Sequence, residues 1–219
     1  MTRRTRRSFI GGVAATGMAA TAGCLSFVTG KGPLSFEATQ VLVATAALEA
    51  TGYELVSEES PKISRSFTVA GQTRKVQVTN RLATYEKSID FGPLGSVRAA
   101  VFAALATPKI EIAGRTFNPI EDMSNRELLE QLQSRYEGVT VNEQVGTYQV
   151  ETLGTTATVE RYDATATLQG RDVPIYLHIV RLPHGDDFLI GVGAHPQAVP
   201  GEKEDVRRMI AGLTHESSA

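Results

Sequence analysis

The sequence predicts an α+β fold: one mostly antiparallel sheet with helices packed against it. Three observations carry this expectation. From Val139 to Ala194 the pattern is strand-like throughout, and its last three strands are joined by links short enough only for antiparallel neighbours. Two stretches, beginning at Ser124 and near Glu202, carry helix-start signals and apolar residues at helical spacing. The elements then run helix, strands, helix, strands, helix, which brings each helix back onto the sheet.

The chain has 219 residues. Its first stretch reads as an address rather than as part of the fold. Arg3, Arg4, Arg6 and Arg7 form a cationic segment without an acid, a weakly apolar run follows from Phe9 to Ala22, and small residues lead to Cys24. That order is the order of a secretory signal. Thr5-Arg6-Arg7-Ser8-Phe9-Ile10 resembles the twin-arginine export motif, with Arg6, Arg7 and Phe9 as its recognised residues. Thr21-Ala22-Gly23-Cys24 resembles a lipobox, although Thr21 stands where a Leu or Val is usual. The resemblance implies lipidation of Cys24, the sole cysteine, and a chain held on the extracytoplasmic face of the membrane. The apolar run is too short and too weak to span a bilayer, which takes about 20 strongly apolar residues. The expected organisation is therefore a signal peptide over 1–23, a lipid-anchored tether over 24–34 and a single domain over 35–215.

Removing the signal leaves 18 basic against 24 acidic residues, a net charge of −6. That balance argues against nucleic acid as a partner and against adhesion of the whole domain to anionic lipid. A lone cysteine allows no intramolecular disulfide. Arginine greatly outnumbers lysine, and tryptophan is absent. With the twin-arginine signal, this composition resembles that of uncharacterised haloarchaeal lipoprotein families, a resemblance that carries no activity.

Along the domain, Ser35 and the alanine-rich run Ala38–Ala50 predict a helix that buries Val41, Leu42, Thr45 and Leu48 and ends at Gly52. Glu58-Glu59-Ser60-Pro61 reads as an acidic loop. Ser66–Ala70 and Lys75–Lys87 form a hairpin about Gly71-Gln72-Thr73, with a bulge near Asn80, where the apolar parity changes. Ser96–Thr107 is compatible with an alanine-rich helix or with a strand buried on both faces. An echo between Val101–Pro108 and Leu189–Pro196 favours strand. Ser124-Asn125-Arg126-Glu127 is a capping box for a helix with Leu128, Leu129, Leu132 and Tyr136 on its apolar side, ended by Gly138. Strands follow at Thr147–Thr152, Thr156–Leu168, Val173–Leu182 and Phe188–Ala194. A last helix over Glu202–Leu213 places acids in its first turn and lays Val206, Met209, Ile210 and Leu213 on the sheet. The ending Gly-Val-Gly-Ala-His-Pro-Gln before an acidic helix start is similar to that of PsbP-like domains. This resemblance implies an α/β/α sandwich of the kind found in exported accessory proteins.

For chemistry the sequence offers little. The four histidines, His178, His184, His195 and His215, show no metal-ligand spacing. His178 reads as a polar residue alternating within a strand and His215 as part of a polar tail. His195, at a strand end, and His184 with Asp186 and Asp187, in a turn, are the candidate ligand-binding residues. No nucleophile motif or phosphate loop is present, which argues against an enzyme, and no cofactor is called for. The expected role is that of a non-catalytic binding or accessory module of the cell envelope, partnered by the membrane and by another envelope protein. The alternative is a small-molecule or lipid binder with Phe102, Tyr148 and Tyr176 lining a pocket between sheet and helices. A hydrolase built on His195 or the His184–Asp187 loop is the third reading.

Overall fold

The computed structural model describes residues 33–69, 72–90, 96–112, 115–116, 120–133, 138–168 and 170–216. The expected export residues Arg6, Arg7 and Phe9, and Cys24 itself, lie outside them.

The chain opens with Leu34–Glu37 (β1), Val41–Val43 (β2) and the helix Thr45–Thr51 (α1). Strands Glu54–Glu59 (β3), Lys62–Val69 (β4), Gln72–Thr79 (β5), Arg81–Asp90 (β6) and Ser96–Pro108 (β7) follow. Two short strands, Glu111–Ile112 (β8) and Arg115–Thr116 (β9), lead to the helix Asn125–Gln133 (α2). The second half holds Val139–Thr152 (β10), Thr155–Leu168 (β11), Arg171–His184 (β12), Asp187–Pro196 (β13), the helix Glu202–Ala211 (α3) and Leu213–His215 (β14).

A seven-stranded sheet in the order β10-β11-β12-β13-β7-β6-β3 dominates, and every neighbouring pair in it is antiparallel. Alternation along each strand sends side chains to opposite faces. On one face Val159, Val180, Leu182, Phe102 and Leu189 pack with Val206, Met209 and Ile210 of α3. On the other, Tyr162, Ala164, Leu177 and Ile179 pack with Leu128 and Leu129 of α2. The capping box forms as expected: Ser124 N donates to Glu127 Oε2 at 2.7 Å, and Glu127 N donates to Ser124 Oγ at 3.2 Å.

The expected α/β/α sandwich is not the architecture. The class is β-rich: the described helices have seven, nine and ten residues and cover only parts of a much larger sheet. The main error lies in Ala38–Ala50, where a single helix was expected. Val41 and Val43 bury their β-branched side chains in a strand that pairs with Leu213–His215, and only Thr45–Thr51 is helical. Val43 N donates to Tyr85 Oη at 2.9 Å, a long-range bond that holds this segment extended. Thr45, expected inside, is exposed. Gly52 does end α1 in the left-handed region, at φ 74°.

Asn80 marks a break rather than a bulge. There the chain leaves a three-stranded sheet, β1-β5-β4, and enters the large one. The acidic loop is partly the strand β3, paired with β6. Ser96–Thr107 is a strand, and its echo Leu189–Pro196 lies beside it in antiparallel register. Ala100, Ala104 and Ala106 are fully buried, so the alanines give a flat surface rather than a helix. His215 belongs to β14 and is buried, not in a polar tail.

Close approach fixes α3 on the sheet. A Cβ at Gly193 would sit 2.6 Å from Val206 Cγ1 and 2.9 Å from Cγ2. Valine is stiff at χ1, so the helix itself must move to admit one. Gly193→Val is expected to cost about 1–3 kcal/mol, read as a lower urea midpoint. An unchanged midpoint would contradict this packing.

Candidate functional site

The face under the N-terminal end of α3 carries a connected cluster of polar side chains. Short links fix the register of β11, β12 and β13, so that His178 lies opposite Gly193 and Tyr176 opposite His195. His178 and His195 therefore sit diagonally on one face, with Nε2 atoms 3.1 Å apart and rings stacked at 5.1 Å. Tyr148 Oη lies 2.8 Å from His178 Nδ1, and His195 Nδ1 lies 3.0 Å from Pro196 O.

The end of this chain assigns its protons. A carbonyl only accepts, so His195 Nδ1–H donates to Pro196 O. His195 Nε2 then accepts from His178 Nε2–H, and His178 Nδ1 accepts from Tyr148 O–H. Both imidazoles are neutral. Burial pushes the His178 pKa down to about 3, with His195, Arg161 and Lys203 adding to the effect. Burial also lowers the pKa of His195, against the hydrogen bond to Pro196 O and the charge of Glu202. Tyr148 is held above the ordinary phenol range by its own burial. The chain is closed at a backbone carbonyl, and both histidines are almost wholly inside, so it orders the core rather than presenting a base.

Beside it, Lys87 Nζ reaches from β6 to Glu202 Oε1 at 2.6 Å and Asp205 Oδ2 at 2.7 Å in the first turn of α3. Burial alone would lower the pKa of Lys87, but the bonds to Asp205 and Glu202 outweigh it and the pKa rises. Tyr53 Oη and Glu202 Oε2 are buried here with no hydrogen-bond partner. The Tyr53 pKa is raised by desolvation first and by the nearby Glu202 and Asp205 charges second.

The other two histidines also find each other. His184 Nδ1 lies 2.9 Å from His215 Nδ1, and His215 Nε2 lies 2.9 Å from Asp187 Oδ2, which also accepts from Thr39 N at 2.8 Å. This line ties β14 and the segment after β1 to the β12–β13 turn. Asp187, buried, is the carboxylate in use, whereas Asp186 is exposed at the turn and contributes its carbonyl to Lys109 N at 2.8 Å. The expected candidates His195, His184 and Asp186 are therefore not brought together. Of the named turn acids it is Asp187 that pairs, and its partner His215 and the His195 partner His178 were assigned no functional role from sequence.

Among the described residues no group of three or more histidine, cysteine or acidic side chains is placed to hold a metal ion. Of the residues expected to line a pocket, Phe102 is fully buried and lies against Gly191, and Lys203 lies 5.4 Å over the Tyr148 ring. An open polar hollow of about 540 Å³ lies instead on the α2 face, between Arg126, Glu160, Tyr162 and Arg181. Arg181 is committed there, donating to Ile120 O and Met123 O at 2.5 Å each.

Comparison with known proteins gives a family and two distant shapes. The profile of a family described as Domain of unknown function (DUF6517) matches residues 40–214. No curated protein matches the chain. A crystal structure of PA94, a protein of unknown function from Pseudomonas aeruginosa, is similar at 12% identity and a TM-score of 0.34, over 71% of this chain and 99% of that one. The solution structure of cyanobacterial PsbP from Synechocystis sp. PCC 6803 is similar at 7% identity and a TM-score of 0.36, over 94% of this chain and 99% of that one.

Proposed function

This chain belongs to the family described as Domain of unknown function (DUF6517), and from that premise we propose that it is a lipid-anchored binding or accessory module on the outer face of the membrane. One observation carries the reading: Arg6-Arg7, a weakly apolar run and the sole cysteine, Cys24, follow one another in order, ten residues ahead of β1. The family match begins at residue 40, so this segment precedes the shared domain. The acidic, lysine-poor composition fits the haloarchaeal resemblance and supports the same export route. Among the described residues no helix is long and apolar enough to cross a membrane. The histidines are engaged with one another in the interior, which favours recognition by surface over chemistry in a cleft.

The test is membrane fractionation with intact-mass analysis of the native protein beside Cys24→Ser. The expected result is a lipid mass on Cys24 and a membrane-bound wild type, with the variant released. A soluble wild type cleaved elsewhere would overturn the proposal.

A further inference from the structure

We propose that the β4–β5 hairpin is the part of the domain that rests on the membrane, recognising anionic lipid headgroups. The proposal rests on the tethered reading above and adds the orientation of the domain and the lipid chemistry it meets.

Charge singles the hairpin out. Residues 62–79 hold Lys62, Arg65, Arg74 and Lys75 and no acid, in a chain whose net charge without the signal is −6. The strand β4 is uncovered: Lys62, Ile63, Ser64, Arg65 and Ser66 are all exposed, so the strand presents both of its faces to solvent. Lys75, opposite Ser66, is exposed as well. β4 is the edge of its three-stranded sheet, and register places Lys62 and Lys75 on one face and Arg65 on the other, so a surface met along this edge can reach basic residues from both faces. The acids of β3, Glu58 and Glu59, lie at the root of the hairpin, next to the Ser60-Pro61 turn that leads into β4.

Position connects this charge to the anchor. β1 pairs parallel to β5, with Leu34 opposite Val76 and Glu37 opposite Thr79. The chain therefore enters β1 from the tip side of the hairpin. The tip end of β5, Gln72, lies four residues beyond Val76, or about 13 Å further along the strand. Leu34 lies ten positions after Cys24, a span of roughly 35 Å at most when extended. A lipid on Cys24 thus leaves the hairpin within reach of the bilayer. Net charge does not oppose this contact, because charges beyond a Debye length of about 8–10 Å are screened at ordinary ionic strength. Basic residues near an anionic surface are attracted to it, and the tether keeps their effective concentration high.

The experiment uses the full, lipidated chain. Because Cys24 is the sole cysteine and is blocked by its lipid, Ser66→Cys accepts an environment-sensitive fluorophore alone. Thr155→Cys, at the exposed first residue of β11 in the large sheet, serves as control. The protein is reconstituted in about 0.1 M KCl, where the Debye length is about 10 Å, on phosphatidylglycerol or on phosphatidylcholine vesicles. Emission from Ser66→Cys is expected to rise and shift to the blue on phosphatidylglycerol alone, while Thr155→Cys stays unchanged on both. Lys62→Glu/Arg65→Glu/Lys75→Glu should abolish the shift without releasing the protein. These exposed positions leave folding intact, which a melting curve checks. Anchored protein with the same Ser66→Cys emission on both lipids overturns the hairpin contact and leaves the tether standing. Protein without a lipid mass, found free of vesicles, overturns both.

Discussion

Lys87→Met unfolds with a free energy about 3 kcal/mol below that of the wild type. The reason is what the substitution leaves behind. Lys87 is the cation held against Glu202, whose side chain is 4% exposed, and against Asp205, at 17%. Glu202 Oε2 already has no partner, and removing the ammonium strands Oε1 as well. Breaking a buried pair from one side costs about 3–5 kcal/mol, whereas replacing both sides by neutral groups is often close to neutral. We take the lower end because Lys87 itself keeps some contact with solvent. The double variant Lys87→Met/Glu202→Gln should recover most of the loss in urea denaturation. A Lys87→Met protein within about 0.5 kcal/mol of wild type, the range of an ordinary surface change, would show that solvent screens this cluster.

Acid weakens the fold well above the range in which carboxylates titrate. His178 is neutral in the native state down to about pH 3, while in the unfolded chain it takes a proton below its ordinary value of 6.5. Between these two values the unfolded state binds the extra proton, so stability is complete above pH 6.5 and falls as the pH is lowered. The loss is about 1.4 kcal/mol per pH unit, or about 2 kcal/mol by pH 5. His195, also lowered, acts in the same direction. His178→Gln is expected to be less stable at pH 7, because Tyr148 Oη and His195 Nε2 lose a matched partner, yet to show a shallower decline between pH 7 and pH 5. Denaturation midpoints at the two pH values decide the matter. A flat wild-type profile would mean that the buried pair is not held neutral.

The histidine pair was partly within reach of the sequence. β12 and β13 meet in a two-residue turn, Gly185-Asp186, which by itself sets His184 opposite Asp187 and counts back to His178 opposite Gly193. Treating Pro183–Asp187 as a longer turn hid that register, and with it the diagonal contact to His195. Ranking Asp186 and Asp187 alike has the same source, since one residue decides which carboxylate faces inward. The partner of His184 was out of reach. His215 arrives on β14, which pairs with β2 from the other end of the chain.

What the sequence determined by itself is local. The capping box at Ser124, the left-handed stop at Gly52, the meander of β11, β12 and β13 and the buried stripe of α3 each follow from residues within a few positions of one another. Their energetics are settled by neighbours along the chain. The arginine pair and Cys24 carry only the proposed signal, which would likewise be read as a linear motif. Tertiary structure decided the rest. The alanine-rich Ala38–Ala50 has helical propensity, but Val41 and Val43 gain more by burial in a strand under Tyr85 than a helix would return. Lys87 meets Glu202 across 115 residues, and His178 meets His195 only because the strands that carry them are neighbours. Pairing of this kind depends on which surfaces the whole chain brings together and keeps from water, and no local pattern encodes that.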